Sequence, residues 1–139
     1  MNRDINKYFL SIAEIVSSRS TCNRSLVGCV IVKNKNILAT GYNGSPSGLK
    51  HCIDAECELE DGHCIRTVHA EQNAIIQAAK NGTAIENSII YTTLFPCYTC
   101  AKMIINAGIK EVHCLKDYHS SKRSKEIFNQ SNIKYKIYN

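Results

Sequence analysis

Apolar side chains recur at three- and four-residue intervals between Asp4 and Ser17 (Ile5, Tyr8, Phe9, Ile12, Ala13, Ile15, Val16), the stripe of an amphipathic helix. Leu26 to Val32 is a short, β-branched apolar run; Asn34-Lys35-Asn36 reads as a turn, and Ile37 to Tyr42 as a second strand, so a hairpin is predicted. Asn43 to Gly48 is a loop by composition, and Cys52 to Thr67 is polar, acidic and without a period. Val68 to Lys80 suits a helix closed by Asn81-Gly82, and Cys97 to Ala107 a helix closed by Gly108. Ser88 to Thr93, Glu111 to Leu115 and Ile133 to Ile137 read as strands, with a helix over Ser121 to Gln130. Strands alternating with helices after an opening hairpin predict one three-layer α/β domain over residues 1–139, with a mixed sheet.

The 139 residues suffice for a hydrophobic core, and 44% hydrophobic with 21% charged residues is ordinary for a soluble protein. The opening Met1 to Asn6 has no apolar signal core, and no apolar run approaches the roughly 18 residues of a membrane helix. A cytoplasmic location is the expectation. Eight cysteines then change the picture, because a reducing cytosol opposes disulfides. Histidines stand beside several of them, in His51-Cys52, His63-Cys64 and His113-Cys114, which points to metal before disulfides. The net charge of +5 is uneven: seven basic against three acidic residues from Lys110 onward, and seven acidic against two basic from Asp54 to Glu86. Such a field suits a phosphorylated substrate, although a solvated, mildly basic surface explains most of these charges. No dense basic stripe with interleaved aromatics supports binding to polymeric nucleic acid.

Two short segments carry the chemistry: His69-Ala70-Glu71 and Pro96-Cys97-Tyr98-Thr99-Cys100, each opening a predicted helix. One imidazole and two thiolates (His69, Cys97, Cys100) would hold Zn²⁺ and leave its fourth position to water. Cysteines three apart on one helical turn can reach one ion, and a helix N-terminus favours their thiolates. Zinc would bring the pKa of its water toward neutrality, making zinc-bound hydroxide the nucleophile. Glu71 would act as proton shuttle, from the water to the ring nitrogen and then to the departing ammonia. His-x-Glu followed by Pro-Cys-x-x-Cys is the known signature of zinc nucleobase deaminases. The competing reading is a four-ligand structural zinc or incidental buried thiols, and such a site requires neither the glutamate nor the proline.

Beyond these motifs, the sequence resembles the cytidine and deoxycytidylate deaminase superfamily over nearly its whole length. The resemblance is carried by Thr21 to Val32, by Gly41-Tyr42-Asn43-Gly44-Ser45-Pro46-Ser47-Gly48, by His69 to Ile75, by Thr93 to Lys102 and by Gly108-Ile109-Lys110. It resembles in particular the short bacterial and phage dCMP deaminases, the competence-operon type among them. The resemblance implies a five-stranded mixed sheet between helices (an α/β/α cytidine deaminase-like domain) and a homo-oligomer, expected as a hexamer. It also implies dCMP as substrate, dUMP supplied for thymidylate synthesis, and dCTP and dTTP as effectors.

Carried over by position, Asn43 should contact the deoxyribose or base, though asparagine there could equally form a turn. Arg24 is a candidate for the 5′-phosphate, with a surface arginine as the alternative. Tyr118 falls where relatives place an aromatic wall, with a core or surface tyrosine as its alternative; Ser45 and Ser47 could donate to phosphate. Some phage relatives carry a second, structural zinc, for which Cys22, Cys52, Cys57 and either His63 or Cys64 are the candidate ligands. Cys29 and Cys114 read as core, and Lys80 suits the end of a helix dipole. Two alternatives remain open at this level: the same chemistry on cytidine, guanine, tRNA adenosine or a pterin-like ring, and a non-catalytic zinc-stabilised protein in DNA uptake or assembly.

Overall fold

The computed structural model describes residues 3–54, 58–60 and 63–138. Helix α1 (Ile5–Ser17) begins where Asp4 caps it, Oδ1 accepting the backbone N–H groups of Asn6 and Lys7 at 2.8 and 3.3 Å. Strands β1 (Gly28–Lys33) and β2 (Asn36–Tyr42) form the predicted hairpin. Asn34 and Lys35 supply the two positive φ angles that a tight two-residue turn demands. After the cysteine-rich segment come α2 (Ala70–Lys80), β5 (Ile89–Leu94), α3 (Tyr98–Asn106), β6 (Glu111–Lys116), α4 (Lys122–Gln130) and β7 (Lys134–Ile137). Within that segment, Leu59–Glu60 (β3) pairs antiparallel with His63–Cys64 (β4), a hairpin too short to leave a sequence period.

The five-stranded sheet runs β2-β1-β5-β6-β7, antiparallel through β1 and parallel from β5 onward, the mixed sheet that was expected. Alternation along the strands gives it two apolar faces. Val30, Val32 and Tyr91 meet Phe9, Leu10 and Ala13 of α1 on one side. Cys29, Ile31, Ile90, Val112 and Cys114 face the other side, with Ala70, Ala74 and Ala78 of α2, Ile104 of α3 and Phe128 of α4. Cys29 and Cys114 are thus core residues, as read. Among the described residues no helix is long and apolar enough to cross a membrane.

Both helices that carry the candidate metal donors start later than predicted. The helices begin at Ala70 and Tyr98, leaving His69 and Cys97 in extended N-cap conformations. Val68 is held out of the helix by its two backbone hydrogen bonds with Gly44, at 3.1 and 2.8 Å. Its polar groups are therefore satisfied before α2 starts, and His69 becomes the first residue free to turn.

Candidate metal centre and active site

Helix α2 is seated by close backbone contact. The Cα of Gly41 in β2 lies so near that a Cβ there would stand 2.2 Å from the Ala70 carbonyl oxygen and 2.5 Å from Ala74 N. The Cys29 thiol donates to the same Ala70 oxygen at 3.1 Å, and Asn73 Nδ2 donates to Tyr42 O at 2.8 Å. At the helix start, Gln72 Oε1 accepts the His69 N–H at 2.9 Å, half of a capping box. Held this way, the His69 imidazole points toward the N-terminus of α3.

There His69 Nδ1 lies 3.2 Å from Cys100 Sγ and 3.5 Å from Cys97 Sγ, and all three donor atoms fall within 4.8 Å of one another. Both sulfurs sit in the first turn of α3, where the unsatisfied N–H groups favour negative charge. A hydrogen bond from Cys100, aided by the His69 ring, pulls the Cys97 thiol down to about 4. Cys100, which gives that bond and is buried near Glu71, is pushed well up. The same thiolate holds the imidazole above its ordinary range. A positive ion among these donors would favour ionisation of both sulfurs. One nitrogen and two sulfurs in this arrangement fit zinc and leave room for a fourth ligand.

Glu71, in the first turn of α2, is 5% exposed. Burial pushes its carboxyl up to about 7, against the lowering effects of its own N–H and of His69. A carboxyl poised there can hold or release a proton near neutral pH.

A cleft of about 700 Å³ opens over His69, Glu71 and Cys97. Of the residues read from the sequence, it brings in Cys22, Arg24, Asn43, Cys64 and Tyr118 as well. Arg24 stands exposed at its rim and Tyr118 is half-buried in its wall. Asn43 reaches the cleft with its amide already engaged: Nδ2 donates to Ser25 O at 2.7 Å, and Oδ1 accepts Val27 N–H at 2.9 Å. Its first task is to hold the 25–27 backbone, and one donor and one acceptor position remain for a ligand. Ser45 and Ser47 lie outside the cleft lining. Lys80 sits in the last turn of α2, where its charge suits the helix dipole.

For the second metal, Cys52 Sγ and Cys64 Sγ approach to 3.7 Å, and Cys22 and Cys52 are buried. The sulfurs of Cys22, Cys52 and Cys64 do not all fall within 4.8 Å of one another, and among the described residues one group of three donors is found, His69, Cys97 and Cys100. Cys57 and the side chain of His63 lie outside the described residues.

Sequence reasoning missed Thr67, Leu94, Phe95, Asp117 and His119, all of which line the cleft. Asp117 and His119 flank Tyr118 and were readable by adjacency. The other three carry no local chemical signal.

Comparison with known proteins bears on the same residues. The family model for the cytidine and deoxycytidylate deaminase zinc-binding region matches residues 3–116. ComE operon protein 2 of Bacillus subtilis is 44% identical over 128 residues, which are 92% of this chain and 68% of that protein. The deoxycytidylate deaminase of Saccharomyces cerevisiae is 34% identical over 134 residues, again 92% of this chain but 43% of that protein, so the chain spans under half of the yeast relative. Among solved structures, the dCMP deaminase from cyanophage S-TIM5 in complex with dCMP and dUMP superposes with a TM-score of 0.86 at 37% identity, covering 99% of this chain and 98% of that one. With a family match running through the helix starts that gather His69, Cys97 and Cys100, this chain belongs to the cytidine and deoxycytidylate deaminases.

Proposed function

We propose that the protein catalyses zinc-dependent hydrolytic deamination of dCMP to dUMP and ammonia, supplying dUMP for thymidylate synthesis. The observation that carries this is the buried Glu71 carboxyl beside a three-donor centre at the floor of a cleft. A structural zinc site has no use for such an acid. Support for the substrate comes from the relatives named for deoxycytidylate and from the cyanophage enzyme bound to dCMP and dUMP.

His69, Cys97 and Cys100 would hold the zinc, which when bound supplies Lewis acidity that makes water a nucleophile near neutral pH. Glu71 takes a proton from the attacking water and passes it to N3 of the cytosine ring. It then takes the second proton, from the hydroxyl now on ring carbon four, and gives it to the departing amine, so the carboxyl must be present in both states during one turnover. Burial that keeps its affinity for protons near neutrality meets that requirement. Tyr118 and Phe95 offer apolar surface to the base, Asn43 its remaining amide positions to the sugar or base, and Arg24 its guanidinium to the 5′-phosphate. Ser45 and Ser47, outside the lining, have no part in this assignment.

The reading extends to a second zinc, held by Cys22, Cys52, Cys57 and His63 or Cys64, for which the close approach of Cys52 and Cys64 is the support. Metal analysis giving two zinc ions per chain is the expected result. It extends also to a homo-oligomer, expected as a hexamer, with dCTP and dTTP as effectors. The exposed Leu26, Leu49, Ile53, Leu59 and Ile65 are apolar surface that self-association would cover.

Ammonia release should be measured on a panel of dCMP, CMP, cytidine, deoxycytidine, guanine and adenosine. Turnover of dCMP above the others, abolished in Glu71→Gln with zinc content intact, is the expected outcome. Turnover of cytidine without dCMP would overturn the substrate assignment, and an active Glu71→Gln protein the role of the carboxyl.

A further inference from the structure

The loop after β6 stands between two clefts. Asp117, Tyr118 and His119 line the active-site cleft and also a second surface cleft of about 660 Å³, whose other walls come from α4. Open space on both sides means that packing alone does not fix this partition. Its anchoring is polar instead. Asp117 Oδ1 accepts the Tyr118 N–H at 2.8 Å and the Ser121 hydroxyl at 2.6 Å, while Oδ2 pairs with Lys125 Nζ at 2.7 Å. Lys125 in turn lies over the Phe95 ring, 5.6 Å from its centre, and Phe95 belongs to the active-site cleft.

Ser121 makes the direction of this arrangement plain. It is the N-cap residue of α4, yet its side chain makes no capping bond. Serine at that position ordinarily stabilises a helix by bonding the free N–H groups of the first turn. Here the backbone of Ser121 is helical (φ −84°, ψ −6°) and not extended as in a capping serine, and its hydroxyl donates to Asp117 in the loop.

We infer that Asp117 is a positioning residue: through Ser121, Lys125 and the Tyr118 amide it fixes the Tyr118–His119 wall against which substrate binds. This rests on the deaminase reading for its kinetics, but not for its structural readout. Tyr118 and His119 line the cleft but lie outside the His69–Cys97–Cys100 donor group, so loosening the wall should weaken binding more than chemistry.

The test compares wild type with Asp117→Ala, Asp117→Asn and Ser121→Ala, each loaded with zinc. Asp117→Ala should raise KM for dCMP about tenfold with kcat within about threefold, the loss of two to three hydrogen bonds being felt in binding. Amide hydrogen exchange across residues 117–121 should quicken while zinc content stays at the wild-type level. Asp117→Asn should restore most of the lost affinity, since its amide oxygen still accepts from Tyr118 and Ser121. Unchanged KM in Asp117→Ala, or a joint fall of kcat and zinc content, would overturn the inference. Were Asp117→Ala not to fold, Ser121→Ala decides alone, with a KM rise of about threefold expected and none overturning it. A wild-type protein inert on dCMP would sink the substrate assignment instead, and the exchange measurement would still decide whether Asp117 holds the wall.

Discussion

Adding one methyl group at Gly41 tests how the metal centre is built. The new Cβ would meet three backbone atoms of α2: Ala70 O at 2.2 Å, Ala74 N at 2.5 Å and Ala74 Cα at 3.0 Å. Ordinary contact begins near 3.4 Å, so β2 and α2 must part by about 1.2 Å, and backbone cannot swing aside as a side chain does. Overpacking of this kind costs about 1–3 kcal/mol. The larger consequence is positional. His69 and Glu71 ride on the start of α2, to which the three atoms nearest the new Cβ all belong, while Cys97 and Cys100 ride on the start of α3. Metal donor sets tolerate about 0.2 Å, and a misplacement of about 1 Å near reacting groups costs on the order of 100-fold in rate. Gly41→Ala should therefore lose zinc to a competing chelator far more readily than wild type, and turn over dCMP about 100-fold more slowly. Gly82→Ala is the control. Gly82 follows α2 at φ +66° with nothing within 4 Å of its would-be Cβ, so strain of about 1 kcal/mol falls on the helix without displacing its start. Zinc retention, urea midpoints and kcat measured on both variants separate displacement from plain destabilisation. If Gly41→Ala kept zinc and turnover within twofold of wild type, the close seating of α2 on β2 would not be what places the ligands.

Two further variants probe polar groups that the fold has put to use. Asn43→Ala strips two part-buried hydrogen bonds and should cost about 1–3 kcal/mol in urea denaturation. Asn43→Asp keeps the bond from Val27 N–H but sets a carboxylate against the Ser25 carbonyl, and should be at least as damaging; a fully stable Asp variant would refute the clamp. His113 is held below its ordinary range, first by burial and then by Lys136, while Glu111 and Asp4 pull the other way and Tyr138 and Tyr91 pack on its ring. Below the usual imidazole pKa the unfolded chain binds the proton more readily, so this contribution to stability is present above about pH 6.5 and fades as pH falls through the depressed folded value. Thermal melts of His113→Gln should lose less stability than wild type between neutral and mildly acid pH, and parallel curves would refute the assignment.

The sequence by itself determined the main elements and the candidate site residues. Hydrophobic period is a local property, so α1, the hairpin, the alternation of helices with strands and the core positions of Cys29 and Cys114 were all legible. So were His69, Glu71, Cys97 and Cys100, because metal chemistry restricts which side chains can serve and a helix start restricts their spacing. The tertiary structure alone decided who partners whom. His69 meets sulfurs 28 and 31 residues away only because the hydrogen-bond register of β1, β2 and β5 sets the seats of both helices. Asn43 reads as a turn or ligand residue and Ser121 as the first residue of a helix, yet their polar atoms hold loops instead. Pairings across the sheet and between loops depend on long-range geometry, to which a period of two or three-and-a-half residues is blind.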